Sequence, residues 1–380
     1  MDIDNIIENT GLYVHIPFCR SKCRYCGFYS RPVEDYDVER LIAAVITELD
    51  NCNCIGSIQT VYIGGGSPSC LPEKSLLRLI EYIYNRWKNI EEFTIECNPG
   101  QVNIEVLRKA RKLGVSRISI GAQSFDHAEL EFLGRTHNVG DITNAVTQAK
   151  NAGFDNISID LIFAIPGSTI LSWRQNLMRA IKLGVPHISA YSLSYEDGTI
   201  LKQQRDAGLF APVDEETDRA MYELTEELLE QAGFEHYEIS NFARPSFRCK
   251  HNMRYWQNKP YIGVGPAAAS CTGNQRTKNI ADIDKYIQAV ETNGTTAQET
   301  INLSAADIAS ETAVLNLRTA DGINIEDYRQ RHNLDICNVF AGPIERHCSL
   351  GLIAREKNNI RLTKNALPIA DSILCDFIID

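Results

Sequence analysis

The chain has 380 residues, 44% of them apolar, and a formal net charge of −11. This length accommodates one large α/β domain and a smaller one, and the acidic balance argues against general affinity for nucleic acid. The first ten residues are acidic, and no stretch offers the roughly 18 consecutive apolar residues of a membrane span, so we expect neither a secretory signal nor a membrane span. The sequence accordingly predicts a cytoplasmic protein.

Short β-branched or apolar runs alternate with helical stretches as far as about residue 235. The runs are Leu12–Phe18, Thr60–Gly64, Phe93–Cys97, Arg117–Gly121, Asn156–Ile162 and His187–Leu193. The helical stretches are near residues 37–50, 73–88, 103–113, 141–152, 169–183 and 214–232. Several of them end in a glycine that suits a helix C-cap, such as Gly114 and Gly184. The alternation predicts parallel strands with right-handed crossovers, and six units predict an α/β fold with a partial (β/α)6 barrel of the TIM type.

The pattern changes near residue 236. Residues 236–271 are rich in proline, glycine and aromatic residues and are predicted to be mostly loops. Helical segments near 281–293, 304–318, 324–332 and 338–349 follow, and then a hairpin at Leu352–Leu362 and a last helix. We therefore expect two domains, 1–235 and 236–380. The second is predicted to be smaller, mostly helical and winged-helix-like, and its acidic composition favours packing or partner docking over DNA binding.

Three of the twelve cysteines, Cys19, Cys23 and Cys26, lie within eight residues of one another. Soft thiolates so close together favour zinc, copper(I) or an iron–sulfur cluster. Structural zinc usually needs four protein ligands in two spaced pairs, and the sequence has no second pair of this kind. A [4Fe–4S] cubane with three protein thiolates keeps one iron open for another ligand. The spacing favours the iron–sulfur cluster over zinc. It gives less support to a thioredoxin-like redox role for Cys23 and Cys26.

Polar residues stand at or near the ends of three successive predicted strands: Glu96, Gln123 and Asp160. Each could be an ordinary strand-end residue with a local hydrogen bond. In barrels of this type the functional residues lie at the carboxyl ends of the parallel strands. Three polar residues at equivalent strand ends therefore indicate a functional site.

The first of the motifs, YVHIPFCxxxCxYC at Tyr13–Cys26, resembles the radical S-adenosylmethionine superfamily. Within it, the chain is similar to oxygen-independent coproporphyrinogen III oxidase and its relatives. Further motifs agree in order, namely GGGSP at 64–68, ECNP at 96–99, GAQS at 121–124, LGRTH at 133–137 and DLI at 160–162. The resemblance covers nearly the whole chain.

The resemblance implies that the three clustered cysteines bind a [4Fe–4S] cluster whose open iron binds S-adenosylmethionine. It also implies a set of contacts to that cofactor: Tyr13, Phe28, Gly65, Gly66, Ser67, Glu96, Gln123, Arg135 and Asp160. One-electron cleavage would then yield methionine and a 5′-deoxyadenosyl radical, with a flavodoxin-type or ferredoxin-type protein as electron donor. The simpler alternatives are a tight turn for the glycines, core packing for Tyr13 and Phe28, and a surface helix-end cation for Arg135.

Two features distinguish the branches of this family. The oxidase usually carries a further cysteine at the position of Phe28, and it has an extension before the first strand, which here begins near residue 12. Both features resemble the HemW-type haem chaperones, so we expect a protein that binds haem and passes it to an acceptor protein. The alternative is a coproporphyrinogen III oxidase of porphyrin biosynthesis, and a third is a zinc-stabilised interaction protein.

The segment HNMRYW at 251–256 resembles a motif that is associated with haem in HemW-type proteins. Histidine is a common axial haem ligand, which makes His251 the candidate ligand, with the Cys249 thiolate as an alternative. Residues 242–260 contain five cations and no acidic residue, and this predicts a site for haem propionates. The cations are Arg244, Arg248, Lys250, Arg254 and Lys259. The alternatives are a hydrogen-bonded structural histidine and an idle thiol, and nucleic-acid binding is the least favoured.

Overall fold

The computed structural model describes residues 9–52 and 56–379. Its main element is a twelve-stranded sheet. In chain order its strands are β1 (Thr10–Ile16), β2 (Ile58–Gly65), β3 (Glu92–Cys97), β4 (Arg117–Gln123), β5 (Asn156–Phe163), β6 (His187–Ser192), β7 (Glu235–Glu238), β8 (Asn241–Ala243), β9 (Tyr261–Val264), β10 (Ala269–Thr272), β11 (Gln275–Asn279) and β12 (Ala297–Asn302).

Strands β1 to β6 are neighbours in chain order and run parallel, which confirms the predicted barrel-like sheet. The sheet continues at both edges. At one edge β9 pairs in parallel with β1 and leads through β10 and β11 to β12, and at the other edge β8 pairs antiparallel with β6. The strand β1 is buried on both faces, as expected for a parallel strand covered by helices.

Helices cover the sheet and build the second part of the chain. They are α1 (Val38–Asn51), α2 (Glu73–Arg86), α3 (Ile104–Lys112), α4 (His127–Leu133), α5 (Val139–Asn151), α6 (Ile170–Lys182), α7 (Ile200–Asp206), α8 (Glu215–Gln231), α9 (Lys250–Trp256), α10 (Ile283–Glu291), α11 (Ala305–Leu317), α12 (Ile325–His332), α13 (Ile336–Val339), α14 (Ala341–Ser349) and α15 (Ala370–Leu374). The predicted C-cap glycines Gly114 and Gly184 have φ values of +87° and +63°, as a left-handed cap requires.

A second hydrophobic core begins at Ala309 and is separate from the core of the large sheet. It combines α11, α12 and α14 with a three-stranded sheet of β13 (Ile323–Asn324), β14 (Ile353–Glu356) and β15 (Asn359–Leu362). Helices followed by this hairpin form the expected winged-helix-like unit. The large sheet extends to Asn302, so it crosses the division at 235/236, and that division stays a prediction.

The predicted loop region 236–271 differs most from the structure. It contains the four strands β7 to β10 and the helix α9. Besides the local pairs β7 with β8 and β9 with β10, two pairings of this region are with residues far away in the chain, since β9 lies beside β1 and β8 beside β6. A local sequence pattern carries little information about such partners, and the short strands therefore resemble loops.

Candidate cofactor site

The three clustered cysteines lie on one loop, which follows β1 at its carboxyl end. Pairing of Phe18–Cys19 with Arg31–Pro32 closes this loop at its base. Inside it, the amide of Cys26 donates a hydrogen bond to the carbonyl of Cys23 at 3.3 Å, which forms a turn. All three cysteines, including Cys19, are partly buried, so the loop holds the predicted ligands at the edge of the protein interior.

Burial and mutual repulsion oppose ionisation of Cys19 and Cys26 in this loop. Burial raises the pKa of Cys19 to about 11 and also raises the pKa of Cys26, and the neighbouring cysteines add to both shifts. A bound metal centre reverses this balance because it stabilises the thiolate. Among the described residues, no three His, Cys, Asp or Glu side chains are arranged to hold a single metal ion. The fit to a cluster therefore rests on the donor set of the loop.

Strand β2 ends in a glycine turn that packs on the start of the cysteine loop. The amide of Gly66 donates to the carbonyl of Ile16 at 2.8 Å, and the amide of Ser67 donates to the carbonyl of Phe18 at 2.7 Å. Gly65 has a φ of +103°, and a Cβ on Gly66 would overlap the carbonyl oxygen of Phe18. Only glycine fits here, and the bare backbone allows a ligand to approach closely.

Ser67 is buried behind this turn, with 1% of its surface exposed. Its hydroxyl donates to Oε1 of Gln101 at 2.9 Å and lies 2.9 Å from the hydroxyl of Ser69. The Ser69 hydroxyl in turn accepts a hydrogen bond from the amide of Asn98, just after β3. Ser67 therefore braces the glycine turn against the end of the neighbouring strand.

Glu96 lies in β3 beside the glycine turn. Its carboxylate accepts a hydrogen bond from the hydroxyl of Tyr62 at 2.7 Å and another from the amide of Gly65 at 3.2 Å. Burial is the main cause that raises the pKa of Glu96 to about 7, and the carboxylate of Asp160 also raises it. A buried carboxyl of this kind gains from a cationic ligand, because pairing offsets the cost of desolvation.

Asp160 faces the same interior from β5. Its carboxylate accepts hydrogen bonds from the hydroxyls of Ser189 at 2.8 Å and Ser119 at 3.3 Å. Burial raises its pKa, and these hydroxyls oppose the rise. Glu96 and Asp160 are thus both buried within the sheet, and the charge of Asp160 helps to raise the pKa of Glu96.

Arg135 joins the cysteine loop to two strand ends. Its guanidinium donates to Sγ of Cys23 at 3.2 Å, to Oδ1 of Asn98 at 2.6 Å and to the carbonyl of Gly121 at 2.8 Å. Its Nε is buried and has no partner in the described part of the chain. Arg135 is therefore not a surface helix-end cation, and its free donor is available to an anionic ligand group.

Gln123 ends β4 in a strained conformation, with a φ of +65° at a register shift between β4 and β5. Left-handed backbone at a non-glycine residue is uncommon and often occurs at functional sites. The shift turns the end of the strand and brings the side-chain amide nitrogen of Gln123 close to Gly121. The carbonyl of Gly121 also accepts a hydrogen bond from Arg135.

The two predicted flanking aromatics lie in different surroundings. Tyr13 is inside the barrel, where its hydroxyl is 3.0 Å from Nδ1 of His15 and its ring lies beside Tyr62. Phe28 is 67% exposed at the rim of the cysteine loop, so core packing does not account for it.

Sequence reasoning missed two interior residues, Tyr62 and Arg117. Tyr62 positions Glu96, and the buried charge of Arg117 lowers the pKa of both Glu96 and Asp160. The alternation along β2 could have revealed Tyr62, since it lies two residues before Gly64 and shares its face.

His251 lies at the opposite mouth of the barrel, on α9. Its Nδ1 is 2.8 Å from the hydroxyl of Thr60 in the first half of β2, and its Nε2 is 2.9 Å from the hydroxyl of Tyr255. Its amide donates to Glu92, the first residue of β3, at 3.0 Å. Burial lowers the pKa of His251 to about 3, so the ring is neutral. Haem ligation by His251 stays a prediction, and it would require the loss of one of these ring contacts.

The predicted propionate site is different in the structure, because carboxylates from elsewhere in the chain pair with two of its five cations. Arg248 pairs with Asp321 at 3.0 Å, and Lys250 pairs with Glu91 at 2.8 Å. Arg254 is buried, with 4% of its surface exposed. Two of the five cations are therefore neutralised by carboxylates, and a third is buried. Cys249 is also buried and donates to Glu92, which matches the idle thiol rather than an open ligand.

Comparisons with known proteins agree with this geometry. The model of the Radical SAM superfamily matches residues 13–179, and that of the HemN C-terminal domain matches residues 303–369. The chain is 33% identical over 370 residues to "Heme chaperone HemW" of Lactococcus lactis, with 97% of each chain covered. The chain belongs to the HemW/HemN-like radical SAM family. It is also 30% identical over 372 residues to "Heme chaperone HemW" of Bacillus subtilis, covering 96% of this chain and 98% of that protein.

Among solved structures, coproporphyrinogen III oxidase (HemN) from Escherichia coli matches with a TM-score of 0.85 at 22% identity. The match covers 99% of this chain and 91% of that one, and it confirms the fold. Membership of the radical SAM family implies a [4Fe–4S] cluster and S-adenosylmethionine. In the part of the chain that the structure describes, no helix is both long and apolar enough to cross a membrane.

Proposed function

We propose that the protein is a haem chaperone that also binds a [4Fe–4S] cluster and S-adenosylmethionine and transfers haem to an acceptor protein. The observation that carries this proposal is the similarity to curated haem chaperones, which extends over 97% of both chains for the Lactococcus lactis protein. The three-cysteine loop against the glycine turn supports the cofactor part of the proposal.

Cys19, Cys23 and Cys26 would hold the cluster. Arg135 supports this assignment, because its guanidinium donates a hydrogen bond to Sγ of Cys23 and so fixes the position of that sulfur. When bound, the cluster and S-adenosylmethionine supply one-electron reductive cleavage of the sulfonium carbon–sulfur bond.

The chain's own residues would bind and orient S-adenosylmethionine. Ionised Glu96 would pair with its ammonium group, and the turn at Gly65 and Gly66 would present backbone to its methionine end. Arg135, Asp160 and Gln123 would supply further polar contacts to the amino acid and ribose parts. Ser67 supports the turn from behind, while Tyr13 and Phe28 flank the cofactor.

The competing function is coproporphyrinogen III oxidase. The similarity to the Escherichia coli oxidase shows a shared fold, at 22% identity. The apolar Phe28 at the rim of the loop, where the oxidase usually carries a cysteine, favours the chaperone.

The test combines two assays on the anaerobically reconstituted protein. Haem titration is expected to give a saturable change in the absorption spectrum. Incubation with reductant, S-adenosylmethionine and coproporphyrinogen III is expected to leave the porphyrinogen unchanged. Formation of protoporphyrinogen would overturn the chaperone assignment, and so would the absence of saturable haem binding.

A further inference from the structure

Three cationic residues surround the end of helix α9, namely Arg254, Lys259 and Arg331. The guanidinium of Arg331, which lies on α12, donates to the carbonyl of Gln257 at 2.8 Å and to the carbonyl of Asn258. These contacts place it beside the peptide bond that leads to Lys259. Arg254 is buried in the last turn of α9 and donates to backbone carbonyls and to a side-chain amide oxygen. We call these three residues the cation cluster.

The cation cluster has only neutral hydrogen-bond acceptors. Across residues 9–52 and 56–379, no carboxylate forms an ion pair with any of its members. Glu91 acts on Arg254 and Lys259 from further away, and it is already paired with Lys250 at 2.8 Å. Partly desolvated cations without an anionic partner gain from a bound anion, because pairing offsets the cost of desolvation.

The pKa values of the cation cluster agree with this shortage of negative charge. Burial lowers the pKa of Arg254, Lys259 and Arg331, and the two guanidinium charges lower that of Lys259 further. In the part of the chain that the structure describes, these are the three Lys and Arg residues whose pKa is below the usual value. A bound carboxylate would reverse the shift of each.

Both parts of the fold hold the cation cluster in place. Arg254 and Lys259 lie on α9 and in the turn after it, whereas Arg331 lies on α12, which packs in the second core. The exposed side chain of Lys259 makes no hydrogen bond within the described residues, so its ammonium group is free. His332, next to Arg331, adds an unused polar atom, because its Nε2 is buried without a partner in the same part of the chain.

The arrangement suits a ligand with two carboxylates. Lys259 and Arg331 both reach the surface, while Arg254 is buried, so two cations are open to a ligand from outside. Ammonium and guanidinium groups form strong, charge-assisted hydrogen bonds to carboxylates. A haem molecule carries two such carboxylates, one on each of its two propionate arms.

We propose that Lys259 and Arg331 bind the two propionate carboxylates of haem at the junction of α9 and α12. The inference rests on the proposed function, because it takes haem as the cargo. It moves the carboxylate contacts from the stretch 242–260 alone to a site that both parts of the chain build. An acidic segment of a partner protein would bring the same chemical group, and the experiment separates the two ligands.

The experiment titrates the full-length reconstituted protein with haemin and with haemin dimethyl ester, in which both propionates are uncharged. The variant Lys259→Gln/Arg331→Gln removes both proposed contacts. The matched control Lys285→Gln/Arg355→Gln removes one lysine and one arginine that are exposed and form no ion pair within the described residues. Absorbance titrations give the dissociation constant of each protein for each porphyrin.

We expect wild type to bind haemin about a hundredfold more tightly than the dimethyl ester, because the ester cannot form charge-assisted hydrogen bonds. The double variant is expected to bind both porphyrins equally, and the control is expected to discriminate like wild type. Lys259→Gln alone is expected to bind haemin about tenfold more weakly. This single variant leaves the carbonyl contacts of Arg331 intact, so its result does not depend on the folding of the double variant.

Equal binding of the two porphyrins by wild type would overturn the proposal, and so would wild-type affinity for haemin in Lys259→Gln. Polyglutamate that binds through both cations, with the preference for haemin unchanged in the double variant, would overturn it in favour of an acidic protein segment. Wild type that binds neither porphyrin saturably would count against the proposed function itself. The two failures are therefore distinguishable.

Discussion

Cys23 is the thiol that receives a hydrogen bond from Arg135, at 3.2 Å. We expect Cys23→Ser to retain far less than the roughly four irons per chain of a complete cluster, because serine is a poor ligand for iron in such clusters. The exposed Cys375 offers a matched control, and Cys375→Ser is expected to retain the full amount. Iron and sulfide analysis after anaerobic reconstitution gives the answer. A full complement of iron in Cys23→Ser would refute the assignment of this loop.

Glu96 gives the site a pH dependence. Its pKa in the folded protein is raised to about 7, so the carboxylate form dominates only above that pH. We expect the affinity for S-adenosylmethionine to rise as the pH increases through about 7, because the ionised form pairs with the ammonium group. Glu96→Gln keeps an acceptor for Tyr62 but loses the charge, and it is expected to weaken binding about tenfold or more at pH 8.

Calorimetric titration across the pH range checks this expectation. The exposed Glu299 provides the control, since Glu299→Gln changes the net charge equally at a distant edge strand. An unchanged pH profile in Glu96→Gln would show that another group is responsible.

At the scale of elements, helix α9 closes the amino end of the barrel. Since both ring nitrogens of His251 have hydroxyl partners, we expect His251→Ala to destabilise the protein by about 1–3 kcal/mol. Thermal unfolding measures this loss. The same variant tests the predicted haem ligation. Loss of a ligand-field band in the folded His251→Ala protein would support axial ligation by His251, and a haem spectrum identical to that of wild type would contradict it.

The strands that can be predicted from the sequence are those with a clear local residue pattern. The barrel strands are short β-branched or apolar runs, and the helices before β4, β5 and β6 are followed by a left-handed glycine such as Gly184, which has a φ of +63°. The helix α9 was missed because its seven residues are fixed by distant partners, such as Thr60 and Glu92. Within the site, the sequence motifs predicted that the cysteines and the strand-end carboxylates take part. The place of Tyr62 in the site follows only from the register of β2.

At the scale of the whole molecule, the large sheet unites the two halves of the sequence. The strand β9 forms one edge of the parallel array beside β1, and the buried Glu48 of α1 accepts a hydrogen bond from Tyr286 of α10 at 2.6 Å. A fragment that ends at residue 235 would leave β1 unpaired on one side and Glu48 without this donor. Unpaired strand edges favour aggregation.

We therefore expect residues 1–302 to fold better than residues 1–235. The longer fragment keeps the complete sheet, and the second core begins only at Ala309. Circular dichroism and size-exclusion chromatography of the two fragments distinguish the cases. Cooperative unfolding of a monomeric 1–235 fragment would restore the division predicted from the sequence.

The placement of α9 and the cysteine loop at opposite mouths of the barrel does not isolate them from each other. Thr60 and Gly65 are five residues apart along β2, which corresponds to about 17 Å at roughly 3.3 Å per residue. The side chain of Tyr62 bridges much of this distance, because its ring centroid lies 5.3 Å from that of His251 and its hydroxyl donates to Glu96 beside the glycine turn. The two mouths are therefore mechanically linked through the barrel interior by one tyrosine.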